Sequence, residues 1–196
     1  AKYRRALREG VTVLEAGRED LSTFFDLMQQ TCRRQGVSPN PRSLESLTKI
    51  WDAFAPGGHL RLGLAQHRGE VVSGALTIRF GGRIIIWKKG SSPDSLRVHP
   101  MEVLYHDAMA WGCDQGARVC DHAGLKRSTA EWLLAGRDAT EEIKRSRDFY
   151  NMRFGGRPVL LPEATVWFRS FLLRQGYRIA ACSKPGSRLL RRFYQC

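Results

Sequence analysis

The chain has 196 residues, of which 42% are hydrophobic, and this composition predicts one packed domain and excludes a disordered chain. No apolar run approaches the ~20 residues of a membrane span, and the first residues contain no apolar signal region. We therefore expect a cytoplasmic protein with no transmembrane segment. The cysteines are irregularly spaced, and because no His/Cys set has the spacing of zinc ligands, we predict no metal site.

Positive charge dominates the chain, whose formal net charge is +13. It is concentrated in a basic lead-in helix at residues 1–10 and a basic tail at residues 169–196, and no acidic residue follows Glu163. The electrostatic field of this positive charge favours phosphate-bearing partners: nucleic acid, nucleotide sugars or an anionic membrane. The alternative is an arginine-rich soluble surface without a phosphate-bearing partner, which would give the same net charge. In the tail, the candidate tRNA or phosphate contacts are Arg188, Arg191 and Arg192.

Helical and strand periods alternate through the first third of the chain. In order, they predict a helix at 2–9, a strand at 11–16, a helix at 19–35 and a helix at 40–55. Gly10 and Gly36 follow the first and third of these elements, where a residue with positive φ ends a helix. We assign Asn40 as the N-cap of the last helix, because Pro41 would then occupy its first helical position. Its predicted inward face is Leu44, Leu47, Ile50, Trp51 and Phe54.

Residues 59–90 predict an antiparallel meander of three strands. The turn signals are Arg68-Gly69 and Gly81-Gly82, and a Gly-Gly loop supplies the positive φ that a tight hairpin needs. The run from Ile84 to Trp87 is apolar without alternation, so we place it at the centre of the sheet, covered on both faces. The polar segment 88–100 is predicted to be a loop.

The remaining elements follow the same patterns. They are a helix at 101–115, a strand at 119–124, a helix from an Asp138/Glu141 capping box to 152, a strand at 159–168 interrupted by Pro162, and basic helical pieces at 171–175 and 189–194. Strand, two helices, meander, helix, strand, helix and strand form the element order of a GNAT-like acyltransferase fold. We therefore expect a single α+β domain over residues 1–196, with a mixed, mostly antiparallel sheet flanked by helices.

Four stretches carry a more specific resemblance. They are REGV at 8–11, the hairpin at 69–87, AMAW at 108–111 with Gly116 and then DHAG at 121–124, and FYNMRFGG at 149–156. Together they resemble the C-terminal GNAT-like half of the Fem family, the aminoacyl-tRNA-dependent transferases that build peptidoglycan bridges. The resemblance implies transfer of an aminoacyl group from tRNA to an amine acceptor. It also implies a second GNAT-like domain or subunit, because Fem proteins have two such domains.

The resemblance further implies a place for the catalytic charge. The family motif F-K-x-x-F-G-G carries a lysine that would stabilise charge developing on the ester carbonyl, and this chain has Asn151 at that position. An amide N–H can still donate to an oxyanion, without the positive charge that strengthens the bond. Arg153 and Lys144 are nearby cations in the sequence that would substitute for it. A structural role for Asn151, near a helix end, is the alternative.

Other candidates come from position in the predicted elements. Asp121 and His122 lie at a strand end, where functional residues gather, although a structural histidine is the commoner case. We expect a further set of side chains to bind substrate: Trp87, Lys88, Lys89, Tyr105 and Tyr150.

The sequence leaves the donor open. GNAT acetyltransferases hold the CoA pyrophosphate in a glycine-rich Q/R-x-x-G-x-G/A turn, and Lys88-Lys89-Gly90-Ser91 does not match it. That stretch is either an anion site or a plain loop. We therefore expect no bound cofactor, with acyl-CoA as donor under the alternative of an acyl-CoA-dependent N-acyltransferase. A third possibility is a non-catalytic basic domain that binds RNA or an anionic surface.

Overall fold

The computed structural model describes residues 2–162 and 167–182. Its helices and strands, in chain order, are α1 (Lys2–Arg8), β1 (Thr12–Ala16), α2 (Leu21–Gln35), α3 (Leu44–Phe54), β2 (Leu60–His67), β3 (Glu70–Phe80), β4 (Arg83–Ser91), α4 (Pro100–Asp114), β5 (Val119–Asp121), α5 (Arg127–Leu134), α6 (Glu141–Arg145), α7 (Arg147–Met152) and α8 (Phe171–Cys182). Short 3-10 turns lie at Arg18–Asp20 and Pro93–Val98.

The chain divides into two compact units. The first comprises Ala1–Lys126 and Ala139–Gly156, and the second comprises Arg127–Asp138 and Arg157–Cys196. The first unit therefore contains the whole sheet, helices α1 to α4 and the short helices α6 and α7. The second contains α5 and α8. A single domain over residues 1–196 stays a prediction.

The first unit is built on a five-stranded sheet in the order β1-β2-β3-β4-β5. The first four strands pair antiparallel, and β5 pairs parallel with β4. The meander therefore has the predicted turns, at Arg68-Gly69 and at Gly81-Gly82, where all four residues have positive φ. This mixed, mostly antiparallel sheet confirms the expected fold class.

Each face of the sheet has its own apolar core. On one face, α4 packs Val103, Leu104 and Ala108 against a sheet surface that includes Ile86. On the other face, α2 and α3 cover Leu62, Leu64 and Leu76 with side chains that include Phe24 and Leu47. The sheet therefore lies between two helical layers. Because both of its faces are covered, side chains at the strand ends are the ones that can form a site.

A β-bulge in β4 changes which side chains point at α4. Leu76 pairs with Lys88 while Thr77 pairs with Ile86, so Trp87 is the extra residue. Trp87 packs in the α2 core, and Lys88 lies near Cys32 of α2, on the same side. Because the bulge shifts the alternation by one residue, Lys89 joins Ile86 on the α4 side. The bulge thus decides which of two neighbouring lysines faces α4.

The structure corrects the predicted start and face of α3. Asn40 is not the N-cap; Ser43 is, because its hydroxyl accepts the N–H of Ser46 at 3.2 Å. On the predicted inward face, Leu44 and Phe54 are exposed. The helix is therefore shorter, and its apolar stripe narrower, than the periodicity predicts.

Other elements also differ from the prediction. β4 continues to Ser91, through the first part of the predicted loop, because its backbone keeps pairing with β3. The predicted helix up to residue 152 is two helices, since Thr140 caps α6 and Ser146 both ends α6 and caps α7. Residues 159–162, 167 and 168 form no strand. The predicted piece at 189–194 lies outside the described residues, whereas α8 extends the piece at 171–175 to Cys182.

Candidate functional site

The candidate site lies where β4 and β5 stop pairing. β5 pairs with β4 only at Arg83, Ile84 and Ile85 and ends at Asp121, whereas β4 continues to Ser91. Tyr105 of α4 lies beside both strand ends. Its ring stacks on His122, directly after β5, with centroids 5.1 Å apart, and the Lys89 ammonium of β4 lies 5.2 Å from its centroid. One buried tyrosine therefore links the two strand ends.

A chain of hydrogen bonds runs from β4 to the loop after β5. Lys89 Nζ donates to Tyr105 Oη at 2.6 Å, and Tyr105 Oη donates to Asn151 Oδ1 at 3.1 Å. Asn151 Nδ2 then donates to the backbone carbonyl of Ala123 at 2.8 Å. Asn151 is only 6% exposed, so its amide is held inside the protein and orients the tyrosine hydroxyl. Lys89, by contrast, is partly exposed and is the charged end of the chain.

Aromatic rings form the wall around this hydrogen-bonded chain. Phe154, after α7, stacks on Tyr105 with centroids 4.3 Å apart and also stacks on His122. Tyr150 meets Tyr105 and Phe154 edge-on. Tyr105 itself is fully buried, while His122, Tyr150 and Phe154 are partly exposed. The partly exposed rings and Lys89 are therefore the surface that a substrate would meet.

The environment controls the charge of two of these rings. Burial, together with the positive charge of Lys89, lowers the pKa of His122. The imidazole is therefore neutral at pH 7, and its Nδ1 is buried without a hydrogen-bond partner among the described residues. Burial also raises the pKa of Tyr150, with a further contribution from the Glu102 carboxylate, although no bond of hydrogen-bonding geometry joins the two side chains. The site therefore combines a cation, a neutral imidazole and a protonated phenol.

Asp121 shapes the strand end. Its Oδ1 accepts the N–H of Ala123 at 2.8 Å, and its Oδ2 lies 3.5 Å from Arg83. Ala123, at φ 51°, takes the left-handed conformation that this turn requires. Asp121 thus holds the Ala123 carbonyl in the position where Asn151 binds it.

The other predicted site residues are distributed differently. Lys88 and Trp87 lie on the α2 side, where the Lys88 ammonium is 4.6 Å from the Trp87 ring centroid. Lys144 is exposed on α6 and pairs with Glu141 at 2.8 Å. Arg153 is exposed at the end of α7, near enough for its charge to oppose part of the rise in the pKa of Tyr150. The tail contacts Arg188, Arg191 and Arg192 lie outside the described residues.

Two members of the site were not among the residues predicted from the sequence. Phe154 belongs to the motif at 149–156, and its stacking on Tyr105 and His122 gives it a place in the site wall. The backbone carbonyl of Ala123 has no signal in a sequence, because any residue type carries one. For Phe154 the sequence does contain a signal. Gly155, directly after it, has φ 84° and turns the chain at the edge of the ring cluster.

Comparison with known proteins gives a family match. A family model described as an acetyltransferase (GNAT) domain matches residues 1–132. The lipid II:glycine glycyltransferase of Staphylococcus saprophyticus subsp. saprophyticus is 39% identical over 66 residues, which is 34% of this chain and 15% of that protein. The chain thus spans only a small part of that relative's length.

Solved structures share the fold. The crystal structure of FemX superposes with a TM-score of 0.59 at 20% identity, covering 63% of this chain and 46% of FemX. A possible acetyltransferase from Clostridium difficile 630 superposes with a TM-score of 0.54 at 10% identity, covering 82% and 99%. An acetyltransferase from Clostridium acetobutylicum, solved with acetyl-CoA, reaches 0.51 at 13% identity, covering 67% and 92%. These likenesses confirm the GNAT-like fold, and together with the sequence match to the glycyltransferase the FemX superposition confirms a distant resemblance to Fem proteins.

Proposed function

Since this chain belongs to the acetyltransferase (GNAT) domain family, we propose that its acyltransferase activity moves an aminoacyl group from charged tRNA to an amine. The observation that carries this proposal is the chain of hydrogen bonds from Lys89 through Tyr105 to Asn151. These bonds connect Lys89, through the Tyr105 hydroxyl, to Asn151, the position that aligns with the lysine of the resembled family. The acceptor is an amine of a peptide or a peptidoglycan precursor.

Lys89 supplies the charge for the reaction. When the amine attacks the ester carbonyl, a tetrahedral intermediate forms and its oxygen becomes negative. The Lys89 ammonium stabilises this oxyanion, while Tyr105 and Asn151 fix the position of the ammonium through their hydrogen bonds. Asn151 therefore acts as a positioning residue, and Lys89 takes the role that the sequence assigns to Asn151, Arg153 or Lys144.

His122 carries the proton. The attacking amine must lose a proton, and the leaving 3′ or 2′ oxygen of the tRNA must gain one. A neutral imidazole beside the reacting carbonyl accepts the first proton and returns it to the leaving oxygen. The lowered pKa of His122 keeps the imidazole neutral and able to accept at pH 7. Collapse of the intermediate then gives the amide and free tRNA.

The start of α4 argues against acyl-CoA as the donor. A CoA pyrophosphate in a GNAT site binds free backbone N–H groups at a helix N-terminus. Here the first helical residue is Pro100, which has no N–H, and Glu102 adds a negative charge in the first turn. Both features weaken binding of a pyrophosphate at this helix, so aminoacyl-tRNA remains the favoured donor over acyl-CoA.

The test is single-turnover transfer with two matched lysine variants. We expect Lys89→Met to lower the rate of aminoacyl transfer on the order of a hundred- to a thousandfold, because it removes an oxyanion-stabilising charge and keeps most of the side-chain length. Lys88→Met, the neighbouring lysine on the α2 side, is the control and should stay within a few-fold of the parent. The assay measures labelled amino acid passed from charged tRNA to an amine acceptor.

Three results would contradict parts of the proposal. Equal rates for Lys89→Met and the parent would place the catalytic charge elsewhere. Transfer from acyl-CoA, with release of free CoA and none from charged tRNA, would replace the donor. No transfer from either donor, with tRNA binding that weakens as salt rises, would make the protein a binding domain.

A further inference from the structure

Helix α8 presents an apolar face to solvent. Leu172 is 79% exposed, Leu173 65% and Ile179 73%, and no residue of α8 is buried. Leu172 and Ile179 are seven residues apart and lie on one side of the helix, with Leu173 on the adjoining part of the same side. We call these three residues the α8 apolar face. Just before the helix, Trp167 is 79% exposed.

The opposite side of α8 is basic. Arg174 and Arg178 are four residues apart and exposed, and Arg169 precedes the helix. No acidic residue occurs from Trp167 to Cys182, and none follows to the end of the chain, where Lys184 and the tail arginines add positive charge. The segment is therefore amphipathic, with an apolar side and a side of one charge sign only.

The apolar face and the basic side of α8 together favour one kind of binding partner. A cationic side and exposed leucine, isoleucine and tryptophan side chains are the composition of helices that lie in the interface of an anionic bilayer. RNA would satisfy the arginines and leave the leucines in water, because aliphatic side chains offer no surface for base stacking. A helix of 12 residues is about 18 Å long, too short for a ~30 Å hydrocarbon core. Among the described residues, no helix is long and apolar enough to cross a membrane.

We propose that α8 binds the surface of an anionic lipid bilayer, lying in the plane of the interface. The α8 apolar face inserts among the acyl chains near the headgroups, and Arg174 and Arg178 contact the lipid phosphates. Trp167 lies at the headgroup level, where indole rings accumulate. This binding is independent of the acyl transfer proposed above, since no residue of the Lys89–Tyr105–Asn151 chain takes part in it.

Vesicle co-sedimentation of the full chain tests the proposal. We expect binding to vesicles of phosphatidylglycerol mixed with phosphatidylcholine, and much weaker binding to phosphatidylcholine alone. The double variant Arg174→Gln/Arg178→Gln should weaken binding on the order of ten- to thirtyfold. Its matched control is Arg4→Gln/Arg8→Gln, two exposed α1 arginines with the same spacing and the same loss of charge, which should bind nearly as the parent does.

An apolar variant tests insertion separately from charge. Leu172→Gln should weaken binding roughly tenfold, while Leu7→Gln, at an exposed leucine of α1, should leave it unchanged. Circular dichroism of each variant checks that the exposed substitutions keep the fold. Equal binding to charged and uncharged vesicles would overturn the proposal, as would equal losses in the two arginine pairs. So would binding to RNA with none to the phosphatidylglycerol vesicles.

Discussion

His122 shows how one residue couples the site to stability. Its ring packs against both Tyr105 and Phe154, and burial with the nearby Lys89 charge lowers its pKa below the ordinary value of 6.5. The protein keeps this imidazole neutral at a cost, because an unfolded chain protonates it more readily. The same lowered pKa that suits His122 to the proposed role of proton acceptor therefore makes the folded state sensitive to acid.

The sign of this sensitivity follows from the direction of the pKa change. Above pH 6.5, His122 is neutral in both the folded and the unfolded chain, so it contributes no pH dependence. Below that value the unfolded chain binds a proton that the folded chain does not, and stability falls until the lower pKa of the folded state is reached. We expect His122→Phe, which keeps the ring stack, to lose less melting temperature than the parent between about pH 8 and about pH 5. Thermal melts across this interval measure it, and equal losses would contradict a lowered pKa.

At the scale of the residue, the sequence singles out several side chains that the structure brings together in the candidate site. Tyr105, Tyr150, Asn151, His122 and Lys89 were all named from their positions in motifs and at element ends. Their contacts were not predictable, because one extra residue in β4 decides whether Lys88 or Lys89 faces Tyr105. A bulge leaves no mark in the alternation of a strand this apolar, so the sequence treats the two lysines alike.

At the scale of the element, local turn and cap chemistry decides which predictions hold. The meander is predictable because Gly69, Gly81 and Gly82 supply the positive φ that its turns need. Helix starts are less predictable wherever several hydroxyl and carboxylate residues compete for the cap. Asp138 and Thr140 both precede α6, and the structure uses the Thr140 hydroxyl, which accepts the N–H of Ile143. The break at Ser146 has the same origin, since its hydroxyl caps α7.

The contact of β4 with α2 gives a test at this scale. A Cβ built on Gly90 would lie 2.6 Å from the Leu27 carbonyl carbon and would also overlap Met28 N, both backbone atoms of α2. Since neither atom can rotate away, we expect Gly90→Ala to push α2 off the sheet and to lower the free energy of unfolding by about 1–3 kcal/mol. Denaturant unfolding measures this loss.

Gly176→Ala is the control for the same substitution. A Cβ at Gly176 meets no heavy atom of the described residues within 4 Å, and this glycine lies inside α8, so alanine should be neutral or slightly stabilising there. A Gly90→Ala protein as stable as the parent would mean that α2 does not approach β4 this closely. Lys89 directly precedes Gly90 in β4. We therefore also expect Gly90→Ala to disturb the hydrogen bond from Lys89 to Tyr105.

At the scale of the whole molecule, the most uneven property is charge. The net charge of +13 is carried largely by the two ends of the sequence, whereas the candidate site combines one lysine with a neutral histidine and a protonated tyrosine. A single charge suits chemistry on one carbonyl, and a broad positive surface suits a long polyanion such as tRNA. This uneven distribution of charge supports the hypothesis that tRNA binding and acyl transfer depend on different parts of the chain.

The tail arginines test that hypothesis. Arg188, Arg191 and Arg192 lie outside the described residues, so their role is a prediction from the sequence. If they contact phosphates, the logarithm of the tRNA affinity falls linearly with the logarithm of salt concentration, with a slope of roughly 0.7 to 0.9 for each contact. Replacing all three with glutamine should flatten that slope by about 2 to 3 units. Filter binding of tRNA over a salt series measures the change.

A triple variant with the same loss of charge separates contact from general attraction. Arg33, Arg118 and Arg145 are exposed and belong to α2, the turn before β5 and α6. Their replacement with glutamine removes three positive charges without touching the tail. If the tail arginines bind phosphates directly, this control keeps most of the parent slope, because displaced counterions are counted only at contacts. An equal flattening in both variants would assign the tail to the solvated surface, and an unchanged slope in both would place the tRNA contacts on other residues.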